Sequence, residues 1–160
     1  MSLTILNRQR SQPVNLRLLR QIAADIFSEL AIAEAELGIV LVGAKEMARV
    51  NRQFLQHEGS TDVITFDHAD GSPSPGTPPG LHGELYICVD DAIAQAREFG
   101  TSWQAELTRY VVHGILHLVG YDDLKPELRR KMKREENRLV RRLARRFALA
   151  ELRRPAKMVK

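Results

Sequence analysis

Hydrophobic side chains recur along the chain with two different periods, and these periods predict its secondary structure. In five segments apolar residues return every three or four positions, the spacing of one face of an α-helix. The predicted helices cover residues 15–31, 44–56, 91–99, 101–119 and 126–154. Short runs of apolar and β-branched residues predict three strands, at 36–43, 61–66 and 84–90.

Residues at the ends of these segments predict where the elements begin and stop. Asn15 is expected to cap the first helix, and Asp90 or Asp91 the third. Gly120 is expected to end the fourth helix. Residues 67–83 are dominated by Gly, Pro, Ser and Asp, which predicts a long connection between two strands.

Few strands among several helices, without a regular alternation of the two, predict an α+β fold. We expect a small mixed β-sheet of about four strands packed with about five helices. A single domain is expected to span residues 1–150, and residues 151–160 are expected to form a flexible basic tail.

Composition narrows the class of protein. The chain has 160 residues, 44% hydrophobic and 28% charged, which is typical of one soluble globular domain. Its longest uncharged, mostly apolar run has 12 residues, whereas a membrane-spanning helix needs about 20. The N-terminal residues lack the apolar core of a signal peptide. Cys88 is the only cysteine, so no internal disulfide can form and a reducing cytoplasm is expected.

Charge is distributed unevenly along the chain. Residues 125–160 contain 15 Lys and Arg against 4 Glu, a balance of +11, whereas residues 1–124 carry a balance of −7. A basic C-terminal helix beside an acidic body indicates a surface for a polyanion such as a nucleic acid. The alternative is an ordinary solvated helix face.

The segment HGILHLVGYDD, residues 113–123, holds the most distinctive chemistry. His113 and His117 are four residues apart, so on a helix both rings lie on one face and can reach a single ion. After Gly120 the chain can turn back, which makes Asp122 and Asp123 candidates for a third ligand. The alternative is a pair of structural histidines in the core. Gly114 occupies the position of the general base in the HExxH motif, which argues against a zinc protease.

This segment resembles the signature of the YbeY family of bacterial endoribonucleases, His-Gly-x-Leu-His-Leu-x-Gly-Tyr-Asp-His. Upstream, TDVITF at 61–66 and HGELYIC at 82–88 resemble two strand motifs of the same family, and Asn51 matches a family asparagine. The resemblance runs from about residue 36 to 150. It implies a metal-dependent endoribonuclease that acts in ribosomal RNA maturation.

The chain departs from the family pattern at two positions. The histidine that closes the family motif, usually the third metal ligand, is replaced by Asp123, and the position of a catalytic arginine is occupied by Leu55. Arg52 and His57 are the nearest candidates to replace that arginine. Zinc accepts a carboxylate oxygen beside two histidines, although the same ligand set also suits Fe(II).

The resulting hypothesis is a single-strand-specific endoribonuclease. It holds Zn²⁺, or another divalent transition metal, through His113, His117 and Asp123, with Asp122 as a partner of the ligands. RNA, in particular ribosomal RNA or the small ribosomal subunit, is the expected partner. The residues expected to border the RNA are Thr61, Asp62, Thr65, Arg52 and His57. Thr61 and Asp62 are equally suited to a turn or cap. The alternatives are a non-catalytic RNA-binding assembly factor with a structural metal site and a metal hydrolase with another substrate.

Overall fold

The computed structural model describes residues 2–55, 62–68 and 80–155. In this part of the chain four strands and five α-helices form an α+β fold, as predicted. The strands are β1 (Ser2–Asn7), β2 (Glu34–Val42), β3 (Val63–Asp67) and β4 (Gly80–Cys88). The helices are α1 (Leu16–Glu29), α2 (Ala44–Val50), α3 (Val89–Phe99), α4 (Trp103–Leu118) and α5 (Pro126–Arg146). No described helix is both long and apolar enough to cross a bilayer.

The sheet is mixed and has the strand order β1-β2-β4-β3. β1 and β4 both run parallel to β2, whereas β3 is antiparallel to β4. Side chains alternate between the two faces of a strand. On β2, Leu37, Ile39 and Leu41 therefore join the main core, while Val40 and Val42 join a smaller cluster with Met47 of α2. The sheet separates these two apolar clusters.

Helix α4 lies in the centre of the main core and packs against β3, β4, α1, α3 and α5. Two glycines allow its close approach to the sheet. A Cβ at Gly114 would lie 2.6 Å from Leu85 Cδ2, and one at Gly83 would lie 2.7 Å from Leu118 Cδ2. The glycine inside this helix is thus explained by a side chain of β4.

The structure confirms some element boundaries and corrects others. The side chain of Asn15 accepts a hydrogen bond from the backbone of Leu18, as expected of an N-cap. The cap predicted at Asp90 or Asp91 is wrong, because Cys88 is the N-cap of α3. Asp90 lies in the first turn and accepts a hydrogen bond from the backbone N–H of Ala44 on α2.

Four segments differ in extent or type from the prediction. The N-terminal strand β1 was not predicted, and β4 begins at Gly80, inside the expected connection. The second helix has α geometry only to Val50 and continues as a π-helical turn over Asn51–Leu55. Helix α5 ends at Arg146 because Phe147 is extended, with φ −130° and ψ 144°.

The segment after α5 packs against the body. Leu149–Leu152 form a 3₁₀ turn, and the side chain of Leu152 is fully buried. Arg153 forms a β-bridge with Val14, and the backbone of Arg154 donates a hydrogen bond to Pro13. The first residues of the expected tail are therefore held in place by apolar burial and backbone pairing, whereas residues 156–160 lie outside the described part.

Candidate metal centre

The end of α4 and the turn after it bring three candidate ligands together. Val119 is the C-cap of the helix. Gly120 adopts φ +107°, a backbone conformation that residues with a side chain rarely adopt. The backbone N–H of Tyr121 then donates to the carbonyl of Leu116 at 3.0 Å. This reversal places Asp123 beside the helix face that carries the two histidines.

The donor atoms of His113, His117 and Asp123 form a compact triangle. The two histidine Nε2 atoms lie 3.1 Å apart, and Asp123 Oδ2 lies 3.9 Å from His113 Nε2 and 3.5 Å from His117 Nε2. In a tetrahedral zinc site with bonds of 2.0–2.1 Å, neighbouring ligand atoms are separated by about 3.3 Å. Among the described residues, this is the group of His, Cys, Asp and Glu side chains close enough together to hold one ion.

The partners of the opposite ring nitrogens determine where each histidine carries its hydrogen. His117 Nδ1 lies 3.1 Å from the carbonyl of Tyr121, and His113 Nδ1 lies 2.7 Å from Glu136 Oε1. A carbonyl and an ionised carboxylate only accept hydrogen bonds, so each Nδ1 is the donor. In neutral rings both Nε2 atoms then present lone pairs toward each other, which is unfavourable unless a cation lies between them.

Glu136 is a buried anion behind the histidine pair. Its side chain is only 4% exposed and accepts hydrogen bonds from His113, from Arg109 Nη1 at 2.7 Å and from Lys133 Nζ at 3.0 Å. Burial raises the pKa of this carboxyl, but the bonds from His113, Lys133 and Arg109 outweigh burial and hold the pKa at about 2. Glu136 is therefore ionised and fixes the orientation of the His113 ring.

Sequence reasoning missed Glu136, although a signal was present. On α5 the buried positions are Met132, Glu136, Leu139 and Leu143, so an acidic residue occupies the apolar stripe. Leu128 near the start of the same helix is 39% exposed, although it is apolar. A carboxylate in the buried face of a helix needs partners, and α4 supplies them.

The two aspartates of the signature segment have different environments. Asp123 points Oδ2 at the histidines, whereas Asp122 Oδ1 accepts a hydrogen bond at 2.9 Å from the backbone of Leu124. The carbonyl of Asp123 also accepts a hydrogen bond from Arg129 Nε at 3.1 Å. Asp122 therefore shapes the turn that presents Asp123.

The residues expected to border the substrate are only partly brought to this centre. Asp62 lines the cavity beside His113, while its Oδ1 accepts a hydrogen bond from the backbone of Val63. Thr65 lies on β3 opposite Leu85. Arg52 is exposed in the π-helical turn. The predictions for Thr61 and His57 fall outside the described residues, as does the side chain of Leu55.

A cavity of about 630 Å³ opens beside the donor triangle. It is bounded by the first residues of β3 and by faces of α3, α4 and α5. Phe99 contributes an aromatic wall that is 64% exposed. The charged side chains of the lining are Asp62, Glu106, Asp123, Glu136, Arg109, Arg129 and Lys133. The formal balance of these described side chains is −1, and a divalent cation at the triangle would change it to +1.

Comparisons with known proteins point to one family. The family model described as "Endoribonuclease YbeY" matches residues 4–144. A Salinibacter ruber protein named endoribonuclease YbeY is 36% identical over 132 residues, which cover 81% of this chain and 84% of the relative. A Geobacter metallireducens protein of the same name is 38% identical and covers 76% and 81%. A solution structure from Thermotoga maritima has a TM-score of 0.67 and 25% identity, and the match covers 98% of this chain and 99% of that one.

Proposed function

Because this chain belongs to the YbeY family of endoribonucleases, we propose that it is a metal-dependent, single-strand-specific endoribonuclease. Its substrate is ribosomal RNA, either alone or in the small ribosomal subunit, and its place is the cytoplasm. The cofactor is Zn²⁺ or another divalent transition metal, held by His113, His117 and Asp123. The reaction is hydrolysis of an RNA phosphodiester.

The pair of facing Nε2 atoms is the observation that carries this proposal. Two nitrogen lone pairs 3.1 Å apart, with a carboxylate oxygen at 3.5 and 3.9 Å, make a set of donors that a small divalent cation satisfies. The side chains of His113 and His117 are 34% and 26% exposed. Both histidines are therefore held by hydrogen bonds at Nδ1, and their side chains remain partly exposed where a substrate can approach.

The protein groups around the triangle position the ligands and the substrate. When bound, a divalent ion supplies Lewis acidity for a phosphodiester oxygen and the means to activate water. Glu136 keeps the hydrogen of His113 on Nδ1, and the Tyr121 carbonyl does the same for His117. Lys133 bonds to Glu136 but keeps a 60% exposed side chain at the cavity, where its remaining ammonium hydrogens can face an RNA phosphate.

The cavity also explains why single-stranded RNA is the proposed substrate. Sequence-tolerant binding of single strands relies on stacking between unpaired bases and aromatic side chains. Phe99 offers such a surface. Thr101 Oγ1 bonds to Glu106 Oε1 at 2.7 Å, which holds the end of α3 near the level of Glu106. His113 lies seven residues, or about 10 Å, further along α4 than Glu106, and both residues line the same cavity as Phe99.

The non-catalytic alternative requires a closed metal site. Structural zinc sites normally have four protein ligands, and within the described ranges only the three residues of the triangle meet the distance condition. The described histidines His68 and His82 lie elsewhere, paired with Glu84 and Glu36 respectively. The described residues supply three ligands rather than four, which favours a catalytic site over a structural one.

Replacing His117 by Ala tests the proposed function. The variant is expected to lose stoichiometric metal and to cleave single-stranded RNA more than about 100-fold more slowly, beyond the effect of losing an outer partner of a ligand. Metal content is measured by elemental analysis of the purified protein, and cleavage is followed on a labelled oligoribonucleotide.

The matched control is His82→Ala, which removes a 54% exposed histidine outside the triangle. This control is expected to retain metal and activity. If the His117 variant keeps both the metal and the activity of the unmodified protein, the proposal is wrong.

A further inference from the structure

Apart from the exposed Lys131, the basic side chains of α5 fall into three sectors around the helix axis, and two of these sectors are occupied by internal contacts. On one side Arg138, Arg142 and Arg146 form ion pairs with α1. Arg138 Nη1 lies 2.7 Å from Glu29 Oε1, and Arg146 Nε lies 2.9 Å from Asp25 Oδ1. These arginines fasten α5 to α1, so they do not form the free polyanion surface that the sequence suggested for the whole helix.

The second sector faces the cavity. Arg129 Nε donates to the carbonyl of Asp123 at 3.1 Å, and Lys133 Nζ donates to Glu136 Oε2 at 3.0 Å. Their charges are partly balanced by the acidic groups of the candidate metal centre. This sector belongs to the cleavage site.

The third sector points away from the body of the protein. It contains Arg130, Arg134, Arg141 and Arg145, which we name the outer arginine stripe. At 3.6 residues per turn these four positions lie within about 60° of one another and roughly opposite the buried face of the helix. All four side chains are exposed, and no ion pair joins them to any other described residue.

The outer arginine stripe lowers the stability of α5 taken as an isolated helix, because its charges repel one another. Like charges four residues apart, as in Arg130 and Arg134 or Arg141 and Arg145, repel each other and destabilise a helix. The stripe extends about 22 Å along the axis, at 1.5 Å per residue. A chain of phosphates laid along it would neutralise this repulsion over several nucleotides.

The negative formal charge of the cavity lining indicates that a polyanion needs a further, positively charged contact elsewhere on the protein. Because the described side chains of the cavity lining have a formal balance of −1, they do not by themselves hold a polyanion. We propose that the outer arginine stripe binds the sugar-phosphate backbone of RNA outside the cleavage cavity, so that a long RNA is held at two places. This inference rests on the proposed function, since RNA is the polyanion that such an enzyme meets.

The test compares two variants of equal net charge. In the stripe variant the four arginines become glutamine: Arg130→Gln, Arg134→Gln, Arg141→Gln and Arg145→Gln. The matched control replaces four exposed basic residues elsewhere: Arg10→Gln, Arg17→Gln, Lys45→Gln and Arg97→Gln. Both sets lower the formal charge from +4 to zero. Binding to a 30-nucleotide single-stranded RNA is measured against salt concentration in the His117→Ala background.

The slope of log K against log salt is expected to weaken by about 2.8 in the stripe variant, at about 0.7 per phosphate contact. The control is expected to change the slope by less than about 1. Equal slopes in the stripe variant and its parent, or equal losses in both variants, would overturn the inference, since the second result reports net charge alone.

Cleavage of a tetranucleotide separates this inference from the proposed function. A tetranucleotide has three internal phosphates. With one of them in the cavity, the other two cannot follow the stripe over its length of about 22 Å. With His117 intact, the stripe variant is expected to cleave it at the unmodified rate. A tenfold loss on the tetranucleotide would show that the stripe acts within the cleavage site and would overturn its separate role. Failure of the unmodified protein to cleave any RNA would instead count against the proposed function.

Discussion

The hydrogen on each imidazole ring decides what the donor triangle can bind. The spacing of His113 and His117 in the sequence predicted that both lie on one helix face. Gly120 predicted the turn that follows. It could not predict the tautomer, because the partner of His113 lies 23 residues away on α5. Glu136 reaches His113 only because α5 packs on α4. The hydrophobic periodicity within one helix does not indicate which other helix it packs against.

Replacing Glu136 by Gln is expected to weaken metal binding and to lower the free energy of unfolding, because Arg109 and Lys133 lose their anionic partner. The amide oxygen can still accept the His113 hydrogen bond, but the negative charge that makes the imidazole a better ligand is lost. Loss of such an outer partner typically costs 10–100-fold in metal affinity. Competition with a chromophoric chelator measures the dissociation constant.

The neighbouring variant Glu135→Gln is the control for this substitution, because Glu135 pairs with Arg138 on another side of α5. It is expected to bind metal within about twofold of the unmodified protein. An unchanged dissociation constant in the Glu136 variant would show that its anion does not tune the centre.

At the scale of elements, the close contact between α4 and β4 sets the position of the histidine face. Helical and strand periods predicted both elements, and Asn15 was correctly predicted as a cap. The cap of α3 was predicted wrongly because Asp90 bonds to Ala44 on another helix. The π-helical turn after Val50 was also missed, since a local widening of the helix leaves little trace in hydrophobic spacing.

The close contact at Gly114 predicts that replacing this glycine by alanine destabilises the protein. In an exposed helix, Gly→Ala stabilises by about 1 kcal/mol. Here the new Cβ would lie 2.6 Å from Leu85 Cδ2, so Gly114→Ala is expected to lower the free energy of unfolding by about 1–3 kcal/mol. Urea denaturation followed by circular dichroism measures this change.

The second substitution Leu85→Val removes the δ-carbons that the new Cβ would meet. In that background Gly114→Ala is expected to cost less, because the two positions are in contact and their effects are not additive. Equal costs in both backgrounds would show that the strain arises elsewhere.

At the scale of the whole molecule, one sheet separates two cores and the charges are divided between an acidic body and a basic helix. The composition predicted the charge division, but not that part of α5 is bound to α1.

Cys88 belongs to the smaller cluster and is fully buried between the sheet and α2. Burial raises the pKa of its thiol to about 12.

The folded protein is therefore expected to be inert to thiol reagents at pH 8. The thiol is neutral well below a pKa of about 12, and no reagent reaches it without opening of the fold. Reaction with Ellman's reagent should release no chromophore from native protein and one equivalent after denaturation, since Cys88 is the only cysteine. Rapid labelling of the native state would contradict the packing of this cluster.

Anomalous diffraction from crystals grown with zinc, recorded on both sides of the zinc absorption edge, tests the central claim most directly. The predicted result is one strong peak bonded to His113 Nε2, His117 Nε2 and the carboxylate of Asp123, with Asp122 turned toward Leu124 and an open coordination position facing the cavity. A peak at another set of residues, or a fourth protein ligand closing the site, would contradict a catalytic metal centre at the end of α4.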